Sequence, residues 1–231
     1  MKDEKGKTMT VKLFISAILK FSLGAVLVGL LIFLPAGTFA YFNGWLFMGI
    51  LFVPMFLAGL VMMAKNPRLL ESRLDAKEKE TEQSLVVKLS GLMFLAGFVV
   101  AGLGVRYGWY TLPKPVVIVS AVVFLIAYIL YAEVLRENTY LSRTIEVQEG
   151  QKVIDTGLYG IVRHPMYSVT LLLFLSMPLV LGSIYSFVIF LVYPFIIAKR
   201  IKHEEKFLEK ELNGYTEYKK KVKYRLIPFI W

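Results

Sequence analysis

The sequence predicts an all-α integral-membrane protein, a multi-pass helical bundle of four spans followed by a C-terminal helical hairpin. Three observations carry that expectation. Hydrophobic residues make up 57% of the 231 and charged residues only 19%, against roughly 45–50% and about 25% in soluble domains. Apolar runs long enough to cross a bilayer recur along the chain, since about 20 such residues traverse the hydrocarbon core. The charged residues collect between those runs rather than inside them, and mean hydropathy is +0.61.

The first span combines residues 13–19 with the uncharged run 21–34. Lys20 interrupts it, where a long stem lets the ammonium snorkel to the nearer interface. Basic residues ahead of this run and the small residues near 38–40 also fit a signal peptide. The length of the run, and the spans after it, favour a span. Residues 44–64 form the second. Residues 65–83 are dense in both charge signs and read as an amphipathic surface helix or solvated loop. Residues 85–105 form the third span, with Lys88 near its start, and 116–132 the fourth, entered through Pro113 and Pro115. A polar stretch follows to His164. Runs 168–181 and 187–198, broken at Gly182-Ser183, are short for upright spans and read as a tight hairpin. From Lys199 the chain is charged and amphipathic, with Phe207, Leu208 and Leu212 on one helical face. No internal repeat stands out. The organisation divides at 1–135, a four-span region, and 136–231, which gathers the chemistry.

The net charge of +10 could point to nucleic acid, but its placement points to topology. With six crossings, the connections on one side carry only Arg106 and Lys114. The other loops and both termini hold nearly all remaining Lys and Arg. Cytoplasmic loops carry the Lys/Arg excess, so both termini are expected in the cytoplasm, with the basic residues near anionic headgroups. Without cysteine, disulfides, thiolate metal sites and cysteine nucleophiles are excluded. With only His164 and His203, a histidine-rich metal centre is excluded too, and no Asp/Glu/His cluster has ligand spacing; no metal is expected.

Three polar stretches fall on the basic side. In "GLYGIVRHPMYSV" (residues 157–169), Pro165 suits an early helical position. Arg163 and His164 then gather at a helix N-terminus, which favours an anionic ligand group. Tyr159 and Tyr167 offer flat faces with hydroxyl tips. Simple anchoring at the interface is the bland account of the same residues. In "AKRIKHEEKF" (198–207), Arg200 and Glu204 share a helix face, either as an ordinary ion pair or as functional charges at the membrane boundary. Glu205 points elsewhere and is expected in solvent. "GYTEYKKKVKYRLIPFIW" (214–231) reads as an amphipathic helix and tail on the headgroups, with Trp231 as interfacial anchor.

At these residues the sequence resembles the isoprenylcysteine carboxyl methyltransferases and their relatives the phospholipid methyltransferases. The matching elements are "TGLYGIVRHPMY" (156–167), "RIKHEE" (200–205) and "GYTEYKKKV" (214–222), in that order; "NPRLLESRL" (66–74) looks like a stretch of bacterial members. The resemblance covers roughly residue 137 to the end. It implies S-adenosylmethionine as methyl donor and a cytoplasmic C-terminal cofactor-binding region. Carried over by position, cofactor contacts fall on Gln148, the strand-like Gln151, Lys152, Val153 and Ile154, then Tyr159, His164, Pro165, Met166, Tyr167 and Glu204. The substrate-side arginine falls on Arg200. Arg200, Glu204 and His164 become the catalytic candidates, His164 or Glu204 as base where the acceptor is an amine. Many members have glycine where Val169 stands, which would narrow the pocket. The implied substrate is lipophilic or lipidated, an isoprenylcysteine-like carboxylate or lipid head group entering from the bilayer. The location expected is a prokaryotic plasma membrane.

Two other classes compete. Integral-membrane sterol reductases, which use NADPH, resemble the C-terminal half, including RHP-x-Y and an ending like "YRLIPFIW". Their core usually carries tryptophan, serine and asparagine where this chain has Tyr159, Val162 and Met166. A transporter or membrane scaffold would more often place charges or broken helices at mid-depth; here the polar residues collect on one side.

Overall fold

The structure, a computed structural model, describes residues 2–74, 81–138, 140–141 and 147–231. They form a helical bundle with no strand among the described residues, and five helices are long and apolar enough to cross a membrane. In order these are α1 (Lys2–Ala36, apolar from Val11), α2 (Phe42–Lys65), α4 (Thr81–Arg106), α5 (Lys114–Glu137) and the Ile184–Glu211 stretch. The last is broken at residues 191–192 into α7 (Ile184–Phe190) and α8 (Tyr193–Glu211). The short α3 (Pro67–Leu74) follows α2; part of the polar segment 65–83, residues 75–80, lies outside the described residues. A 3-10 turn (Gly157–Gly160) leads to α6 (Pro165–Val180), and α9 (Tyr215–Lys221) precedes the tail.

The hairpin expected from Gly182-Ser183 is present. Gly182 has φ +75°, and a Cβ there would lie 2.6 Å from Asn43 Nδ2, so the turn requires glycine. The Ser183 hydroxyl caps α7 by accepting from Ser186 N. At 16 residues, α6 is about 24 Å long, shorter than the roughly 30 Å hydrocarbon core. It packs along α5, while α1 packs along α4. Lipid tails compete for apolar contact, so close backbone approach matters more than burial from water. A Cβ on Gly102 of α4 would sit 2.4 Å from the Ile32 carbonyl of α1, and one on Gly97 would sit 2.2 Å from the Phe190 ring. Rings of Phe47, Phe98, Phe124, Phe94 and Phe190 interlock in the middle.

The two ends differ. At one, three connections meet: Leu112 N donates to Gly182 O at 2.9 Å, Tyr41 Oη donates to Leu181 O, and Gly37 lies against Arg106. These are the three loops that the charge map assigns to one side. At the other end lie α3, the start of α4, the end of α5, the foot of α6, the polar half of α8, α9 and the tail. Lys20 does not simply snorkel; its ammonium donates to Leu74 O at the end of α3, 2.8 Å away.

Candidate active site

The site begins with Pro165 as the first helical residue of α6, which leaves Arg163 and His164 in the non-helical approach. The N–H groups of both donate to carbonyls of the tail, Tyr224 O and Arg225 O, at 2.9 Å each. Arg163 Nη1 donates to Val222 O and Lys223 O, both 2.7 Å, and its Nε to Glu205 Oε1 at 2.7 Å. Arg225 Nε reaches Glu205 Oε2 at 2.8 Å, and His164 Nε2 lies 3.3 Å from Oε1.

Glu205 is therefore not in solvent, as its place in the sequence implied; it is 3% exposed. The anion expected beside Arg163 and His164 comes from the protein itself. A carboxylate surrounded by two guanidinium groups and an imidazole can be buried because its charge is compensated and its oxygens are hydrogen-bonded. The tail is pulled inward with it. Leu226 is buried, and its carbonyl accepts from the Ser168 hydroxyl at 2.5 Å. Trp231 is half-buried under the Arg225 guanidinium, whose carbon is 5.4 Å from the ring centroid. The exposed apolar side chains of the tail are instead Ile227, Phe229 and Ile230.

One turn into α6, the Tyr167 hydroxyl joins the two charged residues of α8 that share a face. Arg200 Nε donates to Tyr167 Oη at 2.8 Å, and the tyrosine O–H donates to Glu204 Oε2. Glu204 Oε1 also faces His164 Nδ1 at 3.9 Å. Arg200 and Glu204 are thus linked through one hydroxyl that accepts from the first and donates to the second.

The third wall is the segment before α6. Residues 151–154 form neither helix nor strand, so the strand-like character read from the sequence is not seen as a paired strand. The Gln148 amide N–H donates to the Gln151 side chain at 2.9 Å, and Gln148 Nε2 donates to Tyr140 O at 2.8 Å. Asn138, just past α5, donates to Tyr159 Oη at 3.1 Å, and Tyr218 Oη donates to Tyr159 O at 2.7 Å. Val153 packs against Leu212, Tyr215, Tyr218 and Val222. Lys221 Nζ bonds Asp155 at 2.6 Å and holds its carboxyl below the usual range.

These walls enclose a cavity of about 540 Å³, within the range of small-molecule sites. Gln151, Lys152, Val153, Ile154, Tyr159, His164, Met166, Tyr167, Arg200 and Glu204 all line it. Gln148 and Pro165 do not; the first braces the loop and the second is packed at the start of α6. Val169 does not narrow the space, because it turns into the helical core at 3% exposure. The cavity continues from the charged groups into an apolar part lined by Phe94, Phe174 and Ile197, with the Tyr193 hydroxyl donating to Thr170 there. Sequence reasoning missed Asn138, Tyr140, Tyr193, Tyr215 and Tyr218, as well as Ser90 and Phe94 of α4. The tyrosines of α9 stood in a noted motif; nothing near Ser90 or Phe94 signalled a site. Among the described residues, no group of three or more His, Asp or Glu is placed to hold a metal.

The matched region of the chain contains most of this site. Residues 115–213 match the phospholipid methyltransferase family, a group of integral-membrane methyltransferases. The match takes in α5 through α8 and suggests a membrane methyltransferase. The chain is also similar to the Delta(14)-sterol reductase of Mus musculus, 31% identical over 91 residues. That alignment covers 38% of this chain and 22% of the reductase, so the chain spans well under half of that relative's length.

Proposed function

We propose that the protein is an S-adenosylmethionine-dependent methyltransferase acting on a lipophilic acceptor that reaches the cavity from the bilayer. The carrying observation is the Arg200–Tyr167–Glu204 linkage at the junction of a polar and an apolar chamber, inside the region that matches the methyltransferase family. The residues fit the donor. Glu204 offers a carboxylate to hydroxyl or amino groups, while Tyr159, Ile154 and Met166 offer flat and apolar surface to a base. When bound, S-adenosylmethionine supplies an electrophilic methyl on a sulfonium, and its transfer breaks that carbon–sulfur bond and leaves a neutral thioether.

The protein's work is then positioning. Arg200 holds an anionic group of the acceptor, a carboxylate or phosphate. Phe94, Phe174 and Ile197 receive its apolar chain, and the packed tail excludes water from the polar side. A carboxylate acceptor attacks without losing a proton. An amine acceptor must lose one, and Glu204, with His164 beside it, is the group to take it. Residues 136–231 form the catalytic region in this reading, the polar end faces the cytoplasm together with both termini, and the membrane is a prokaryotic plasma membrane.

The test is calorimetric titration of S-adenosylhomocysteine into the purified protein, beside Tyr159→Ala and Glu204→Ala. The expected result is saturable binding that each substitution weakens at least tenfold, about 1.4 kcal/mol. A folded wild type that does not bind removes the reading. The sterol reductase similarity supports a second reading, an NADPH-dependent reductase of a sterol or isoprenoid; NADPH binding in place of S-adenosylhomocysteine would establish it.

A further inference from the structure

One residue that lines the cavity carries a buried polar atom that the described residues leave unsatisfied. Tyr215 opens α9 and is 4% exposed, yet its hydroxyl has no hydrogen-bond partner among the described residues. Buried polar groups in folded proteins are nearly always paired, and an unpaired one is destabilising. Tyr218, one turn on with its ring centroid 5.8 Å away, makes the contrast: its hydroxyl donates to Tyr159 O. The other orphaned hydroxyl among the described residues, Ser186, is packed between helices beside Gly97 and lies off the cavity. Tyr215 lines it. Burial, with the carboxylates of Glu205 and Glu204 nearby, pushes the Tyr215 hydroxyl well above the usual tyrosine range. It remains a protonated donor at neutral pH.

We propose that the Tyr215 hydroxyl is a ligand contact of this cavity, hydrogen-bonding a polar group of the nucleoside-bearing methyl donor beside Glu204. The proposal rests on the methyltransferase reading above and adds a binding residue that the family resemblance did not supply. It makes an unusual pair of demands. Removing a hydroxyl that is satisfied only by ligand should stabilise the empty protein and weaken the complex. A hydroxyl with a structural role would do neither.

The experiment compares wild type, Tyr215→Phe and Tyr218→Phe by thermal melting without ligand and by S-adenosylhomocysteine calorimetry. For Tyr215→Phe we expect a melting temperature raised by about 2–4 °C and an affinity lowered about tenfold. For Tyr218→Phe we expect a lower melting temperature, since Tyr159 O loses its partner. Unchanged affinity in Tyr215→Phe, with wild type binding normally, overturns this proposal alone. A lower melting temperature or failure to fold in Tyr215→Phe also overturns it, because the hydroxyl is then structural. A wild type that does not bind S-adenosylhomocysteine removes the methyltransferase reading and this contact with it.

Discussion

In α1 and α2, 11% of the most apolar stretch is buried inside the protein, while in the α7–α8 stretch that carries Arg200 and Glu204 the share is 33%. In the first two spans few side chains are fully buried, and nearly half are exposed. They are held by a few close approaches, such as α1 against Gly102 of α4, and by rings. The C-terminal region is held differently, by directed bonds onto Glu205, Tyr159 and Tyr167. Apolar packing against lipid tolerates exchange of one greasy side chain for another. A buried network does not, because removing one partner strands the others. The two regions should therefore fail in different ways.

The largest effect is expected at the hub. Glu205→Ala leaves Arg163 buried without its carboxylate, which should cost about 3–5 kcal/mol of stability and abolish ligand binding. Glu205→Gln keeps shape and some hydrogen bonding and should fall between that variant and wild type. Melting and calorimetry on the same samples check both. Retention of wild-type stability by Glu205→Ala would end the distinction between the regions.

Gly102→Val tests the other kind of contact. With the Ile32 carbonyl 2.4 Å from the added carbon, α1 must move off α4, a strain of about 1–3 kcal/mol. The site lies at the far end of the bundle, so S-adenosylhomocysteine affinity should stay within about twofold of wild type, a change well under the 1.4 kcal/mol that a tenfold loss represents. A large loss of affinity would show that the halves are more tightly coupled than their contacts indicate.

Tyr167→Phe sharpens the comparison inside the site. It removes the hydroxyl between Arg200 and Glu204 while keeping the ring. Net stability should fall by about 1 kcal/mol, with a larger relative loss in turnover than in donor affinity, read from kcat against calorimetry.

The smallest effect concerns the exposed Lys221–Asp155 pair, for which surface screening leaves little at neutral pH. Lys221 depresses the Asp155 pKa, so its contribution is present above the unfolded value, roughly pH 4, and is lost as pH falls through the folded one. Asp155→Asn should flatten the acid limb of melting temperature against pH and leave neutral-pH binding unchanged. A variant that alters binding at pH 7 would instead place Asp155 in the site.

Much of this was legible in the chain. Hydropathy gave the spans, the Gly182-Ser183 break gave the hairpin, and the paucity of Lys and Arg marked the three loops that meet at one end. The motif around Arg163–Tyr167 and the four-residue spacing of Arg200 and Glu204 both led to the cavity. The errors share a cause. Glu204 and Glu205 are adjacent, and helical phase alone assigns one inward and the other out, but α8 is packed on two sides. Glu204 meets α6, and Glu205 meets Arg163 and the returning tail. Trp231 looked like an interfacial anchor until the tail folded back and placed it under Arg225.

The sequence by itself determined that this is a multi-pass helical protein with its polar chemistry on one side, because backbone in lipid must satisfy its own hydrogen bonds and apolar length decides what crosses. Only the tertiary structure decided which polar residues line the cavity and which are internal partners. That choice depends on bonds between residues 20 to 60 positions apart, such as Arg225 to Glu205 and Arg163 to Lys223. No local spacing encodes those pairings. They exist because burying a charge is tolerable only once its partners have been brought to it.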